Sequence, residues 1–215
     1  MDSIDFTDIP VPPPPRKGDA LFRGDLPDWR NNACLNPTGH DAERGYTNGY
    51  RRGARVLADH VIEHQEDQDS LVYPIIFLYR HHIELALKSL ILNAPSIIGR
   101  PLTPPESQHL GMHRLNLLWQ DLKPMFSDVC KAAGWSKLAA DDVDGVDSYI
   151  KQLSELDLES YSFRYARRKS GAPSLPTRLT HVNLRHFAEM LDRLANYLDG
   201  LDAGLSALIE TERET

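Results

Sequence analysis

Five ionisable residues fall within nine positions of an otherwise apolar stretch. Residues 72–93 read VYPIIFLYRHHIELALKSLILN, and Arg80, His81, His82, Glu84 and Lys88 interrupt their hydrophobicity. Arg80, Glu84 and Lys88 follow one another at i,i+4 spacing, so on a helix one carboxylate can bridge two cations along a single stripe. Two histidines flank that stripe. Histidine serves as general acid or base near neutral pH, and arginine can stabilise charge developing on a phosphorane. Arg80, His81, His82 and Glu84 are therefore the catalytic candidates for work on a phosphodiester. The structural alternative is a buried salt-bridge ladder that sets helix register, with the histidines bonded to neighbouring helices.

A second group lies in residues 157–180, DLESYSFRYARRKSGAPSLPTRLT. Arg164, Arg167, Arg168 and Lys169 are interleaved there with Tyr161, Phe163 and Tyr165. Cations with aromatic rings in a loop can track phosphates and stack on unpaired bases, which makes Arg164, Tyr165, Arg167, Arg168 and Lys169 the nucleic-acid-binding candidates. The plainer reading is a solvated turn anchored by Phe163.

His109 and His113 form an HxxxH pair, but no motif glutamate and no third ligand accompany it, so helix-end packing is the expectation and metal is not. The chain has no phosphate-cradling glycine loop, no GxSxG and no HExxH. No cofactor is expected.

The elements that must position these groups are helices. The first spans about 41–65, with Asp41 as N-cap and Val56, Leu57, Val61 and Ile62 as its apolar stripe. The second is the 72–93 stretch, apolar on most of its circumference as the central helix of a bundle would be. Pro74 falls in its first turn, and Asn93 with Pro95 ends it. A third covers 107–122, with Pro124 ending or kinking it before a short helix through Val129 and Cys130. A fourth covers 142–156. The last, about 181–212, carries Leu184, Phe187, Leu191, Leu194, Leu198, Leu201, Leu205 and Leu208 at alternating spacings of three and four, a heptad seam. That seam packs within the bundle or pairs with a second copy. Residues 1–24 form a proline-rich arm, extended or disordered, Pro10 and Pro12–Pro15 favouring polyproline II, with Phe22, Leu26 and Trp29 available for docking onto the domain. Residues 25–215 form a single bundle domain.

Length and composition set the outer limits. The chain has 215 residues, enough for one well-buried core, and a net charge of −7 that argues against non-specific coating of nucleic acid. Two distant cysteines, Cys34 and Cys130, make no disulfide framework, and the acidic first residues are no signal peptide. The charges within 72–93 exclude a membrane span. The expectation is a soluble cytoplasmic protein.

Three blocks together carry a resemblance: Phe77 to Lys88 (FLYRHHIELALK), His113 to Trp119 (HRLNLLW) and Ser162 to Tyr165 (SFRY). They resemble bacterial uncharacterised proteins of the HEPN type, over about residues 40–210. The resemblance implies an all-α bundle of about five helices, commonly a homodimer. It also implies an RNA-directed role of the toxin or anti-phage defence kind, with an antitoxin or other defence-system partner, and metal-independent endoribonuclease activity in the catalytic members. Other members are inactive scaffolds, and a non-enzymatic adaptor binding a partner protein or nucleotide is the alternative. Catalytic members carry an arginine, four to six intervening residues, and then a histidine. The one such spacing here, Arg55 to His60, is no more than chance supplies. A variant site from Arg80, His81 or His82, with Arg164 brought in by its loop, takes its place.

Overall fold

The computed structural model describes residues 13–22, 24, 27–35 and 41–214. The chain divides into two units, Met1–Thr38 and Gly39–Thr215. In the first, residues 13–16 have no regular secondary structure and Trp29–Asn31 make one turn of 3-10 helix, with the Asn31 amide donating to the Asp28 carboxylate at 2.8 Å. Phe22 and Trp29 are exposed. Pro10, Pro12 and Leu26 lie outside the described residues.

The second unit is all-α. Its helices are α1 (Asp41–His64), α2 (Gln68–Ile98), α3 (Pro104–Leu110), α4 (Leu115–Ala132), α5 (Ala140–Leu156) and α6 (Leu184–Glu214). Among the described residues there is no strand, only an isolated bridge between Arg167 and Pro173. No helix among them is long and apolar enough to cross a membrane.

Helix α2 is the axis on which α1, α4 and α6 pack, while α5 packs on α4. It is longer than its apolar run suggests and passes through both Pro74 and Pro95. A proline inside a helix costs ~3 kcal/mol through a lost hydrogen bond and a ring clash. Burial of Ile75, Tyr79, Ile83, Leu87, Leu90, Ile91 and Ala94 outweighs it. Gly99, left-handed at φ 65°, supplies the stop instead of Asn93 and Pro95.

The expected third helix is two. Thr103 and Glu106 form a reciprocal capping box that starts α3, and the chain breaks at 111–114 before α4. Pro124 neither ends nor replaces α4. It is exposed, so the carbonyl it frees one turn back can bond water. The α6 seam is used inside the unit: Leu184, Leu191, Leu194, Leu198, Leu201 and Leu205 are all buried against the common core. Gly204 permits a close approach by the Trp135 indole, which would lie 2.9 Å from an added Cβ, whereas an added Cβ at Gly200 would meet nothing within 4 Å.

These two glycines, one turn apart, give opposite expectations. Gly200→Ala should stabilise the protein by ~0.5–1 kcal/mol through helix propensity. Gly204→Ala should forfeit that gain by displacing Trp135. Urea unfolding of the two variants measures the difference.

Candidate functional site

Arg80 points into the bundle and is 1% exposed. Its guanidinium spans three segments. Nη1 donates to Glu84 Oε2 on the same helix at 3.1 Å, Nη2 donates to the His113 carbonyl at 2.5 Å, and Nε donates to the Asp157 carbonyl at 3.2 Å. The Asp157 carboxylate adds an ion pair, with Oδ2 3.6 Å from Nε. Asp157 Oδ1 accepts from the backbone N–H groups of Tyr161 and Ser162 at 2.6 and 2.8 Å, folding the start of the irregular segment. Burial pulls the Arg80 pKa down while the Asp157 and Glu84 carboxylates oppose it, and arginine stays charged.

Glu84, also 1% exposed, is the shared acceptor. Its Oε1 takes hydrogen bonds from Lys88 Nζ at 2.9 Å and from His113 Nδ1 at 2.8 Å. Burial pushes the carboxyl up, but the bonds from Lys88 and His113 more than offset this and leave it below the ordinary carboxylate range. A carboxylate only accepts, so His113 Nδ1 carries the proton of this bond. The His113 side chain is 53% exposed. A buried carboxylate thus orients a solvent-facing imidazole, the arrangement that prepares histidine as a general base.

The two α2 histidines part company. His81 is half-buried, stacked on Phe77 at 5.7 Å and met edge-on by Tyr50 at 4.4 Å. The Arg164 guanidinium covers the same Phe77 ring at 5.6 Å, so Arg164, Phe77, His81 and Tyr50 form one continuous ladder. Burial lowers the His81 pKa, as does the charge of nearby His113, while Glu84 raises it. His82 faces α1 instead. It is fully buried, with Nδ1 bonded to the Thr47 carbonyl at 3.0 Å and Nε2 without a hydrogen-bond partner. Burial lowers its pKa too, and the Thr47 carbonyl fixes the neutral Nδ1–H form.

The structure brings Arg80, Glu84 and His81 to one place and leaves His82 out of it. Arg80, Glu84 and His82 are shielded from solvent, whereas His81 is half-buried and His113 is exposed. The HxxxH spacing predicts helix-end packing for both His109 and His113. His109 instead turns to Asp121 at 2.7 Å, so the HxxxH residues share no centre. The signal for His113 lay in Glu84, a buried acid with one acceptor oxygen more than Arg80 uses. Arg55 is tied to Asp59 and Asp192 at 2.8 Å each and makes no site with His60.

The segment 160–174 is a packed loop rather than a strand. Phe163 is buried, and the turn is closed by Arg168 N–H to the Ala172 carbonyl at 2.8 Å and Ser174 N–H to the Ala166 carbonyl at 3.0 Å. Gly171 takes the φ of 84° this turn requires. Arg164, Tyr165, Arg167, Arg168 and Lys169 are all exposed. Their hydrogen bonds go to backbone carbonyls, and among the described residues no carboxylate lies within ion-pair distance of the four cations. Behind the Arg80 clamp is a cavity of about 310 Å³, walled by Arg80, Asp157, Leu153, Phe163, Phe187 and Met190.

Fold and site together define an all-α bundle with a carboxylate-oriented histidine at its surface. No protein-family model matches the chain, and no curated protein or solved structure matches it.

Two outcomes follow from the buried groups. Arg80→Met leaves buried Asp157 without its cation and Glu84 with Lys88 alone, and should cost ~3–5 kcal/mol in urea unfolding. Because the folded pKa of His82 lies below its unfolded value, the unfolded chain binds the extra proton. Stability should therefore fall as pH drops below about 6.5. His82→Gln should flatten that slope, read as urea midpoints between pH 7 and pH 5.

Proposed function

We propose that the chain is a HEPN-like, RNA-directed protein of the toxin or defence type that acts as a metal-independent endoribonuclease. The observation that carries this reading is the 2.8 Å bond from His113 Nδ1 to buried Glu84, with the imidazole open to solvent. His113 Nε2 takes the proton of a ribose 2′-hydroxyl. The 2′-oxygen attacks the adjacent phosphorus, the P–O5′ bond breaks, and water protonates the departing 5′-oxygen. Arg164 answers the charge that develops on the phosphorane. The exposed cations Arg167, Arg168 and Lys169 hold the flanking phosphates, and Tyr165 and the Phe77–His81 ladder offer faces for unpaired bases. Arg80 is a positioning residue: it holds the His113 carbonyl in place and touches no substrate.

A second reading has its own support. The Arg80–Glu84–Asp157 cluster is fully enclosed, and the largely apolar cavity behind it suits a non-enzymatic adaptor that binds a small ligand such as a nucleotide. A homodimer, an antitoxin or another defence-system partner remains part of the HEPN-like proposal.

The test is cleavage of labelled single-stranded RNA in excess chelator. Wild type should cleave it, His113→Gln should lose ~10²–10⁴-fold in rate while staying folded, and a 2′-deoxy substrate should be inert. Charge reversal at Arg168 and Lys169 should weaken RNA binding and flatten its salt dependence. Folded wild-type protein that neither binds nor cleaves RNA returns the adaptor.

A further inference from the structure

The corner between α1 and α2 gathers metal-ligating groups far from the site above. His60 sits on the last turns of α1, and Glu66 and Asp67 form the turn into α2. His60 Nε2 lies 3.2 Å from Asp67 Oδ2 and 3.9 Å from Glu66 Oε1, and one donor atom from each of the three residues falls within 4.8 Å of the others. We propose that His60, Glu66 and Asp67 bind a divalent transition-metal ion of the zinc type, with water completing its shell.

Geometry, charge and donor chemistry each support this. Tetrahedral zinc with bonds of ~2.0–2.1 Å holds its ligand atoms about 3.3 Å apart. His60 and Asp67 already have that separation, and Glu66 Oε1, 3.9 Å from His60 Nε2, lies beyond it and has to move inward. Two carboxylates converge here on an imidazole, yet among the described residues neither has a lysine or arginine within ion-pair distance. A bound cation would relieve their repulsion. A nitrogen beside two carboxylate oxygens suits zinc better than magnesium or calcium, which prefer oxygen alone.

The surrounding chain holds the donors in place. The His60 ring stacks on His64 at 4.7 Å, and His64 Nδ1 bonds the His60 carbonyl at 2.9 Å. The turn is fastened by Gln65 N–H to the Val61 carbonyl at 2.9 Å and Leu71 N–H to the Asp67 carbonyl at 2.8 Å. Glu84 lies on the order of 25 Å further along α2 at 1.5 Å per residue. The ion would pin the α1–α2 corner and would take no part in chemistry at His113.

The test is titration of the chelator-stripped full chain with Zn²⁺ by calorimetry, alongside thermal unfolding with and without the ion. Wild type should take up one equivalent and unfold at a higher temperature when loaded. His60→Ala, and separately the near-isosteric Glu66→Gln/Asp67→Asn pair, should bind at least ~10-fold more weakly and lose the thermal shift. His109→Ala should behave as wild type. If His60→Ala does not fold, the carboxamide pair decides. No uptake by wild type, or uptake unchanged in the carboxamide pair, overturns the proposal.

Discussion

The buried guanidinium of Arg80 is the interaction on which the rest of the molecule depends. It lies at the middle of α2 and bonds to Glu84 one turn on and to two places distant in sequence, the carbonyl of His113 and Asp157 at the end of α5. A charge so enclosed is costly, and a hydrophobic residue of its size would often serve stability as well. What apolar packing cannot supply is direction. Each N–H of the planar fork points at one acceptor, so the break between α3 and α4 and the loop after α5 are each held in one place relative to α2.

That fixed core has an exposed consequence. Glu84 uses one oxygen for Arg80 and the other for Lys88 and His113, so the orientation of a half-exposed imidazole is set by groups that never meet solvent. Asp157 plays the same part for the next segment, capping Tyr161 and Ser162 and sending Phe163 inward and Arg164 outward over Phe77. The polar cluster in the core and the cationic, ring-bearing face outside it are one construction. Substitution in the first should be felt in the second.

Much of the architecture was legible in the sequence because it rests on local periodicity. The all-α class and the seam of α6 follow from apolar spacing alone. Two of the differing boundaries share one cause, the assumption that proline stops a helix. Pro95 and Pro124 lie within helices whose tertiary burial outweighs one missing hydrogen bond. The real stop, Gly99, was passed over. The ladder Arg80–Glu84–Lys88 was also legible, as an i,i+4 series. His113 was not, because its bond to Glu84 crosses from a separate segment and no short-range pattern announces it. The exposed cations of 164–169 were visible as a run, but the turn that presents them depends on Asp157 and Gly171, whose roles appear only in three dimensions.

The central claim is that one guanidinium couples the α3–α4 break, the loop after α5 and α2. Amide hydrogen exchange, compared between wild type and Arg80→Gln, addresses it most directly. The account predicts that protection falls together in residues 112–118 and 157–163, while α1 and α6 around the Arg55–Asp192 ion pair keep theirs. Loss confined to one of those two segments, or no local change at all, would contradict it.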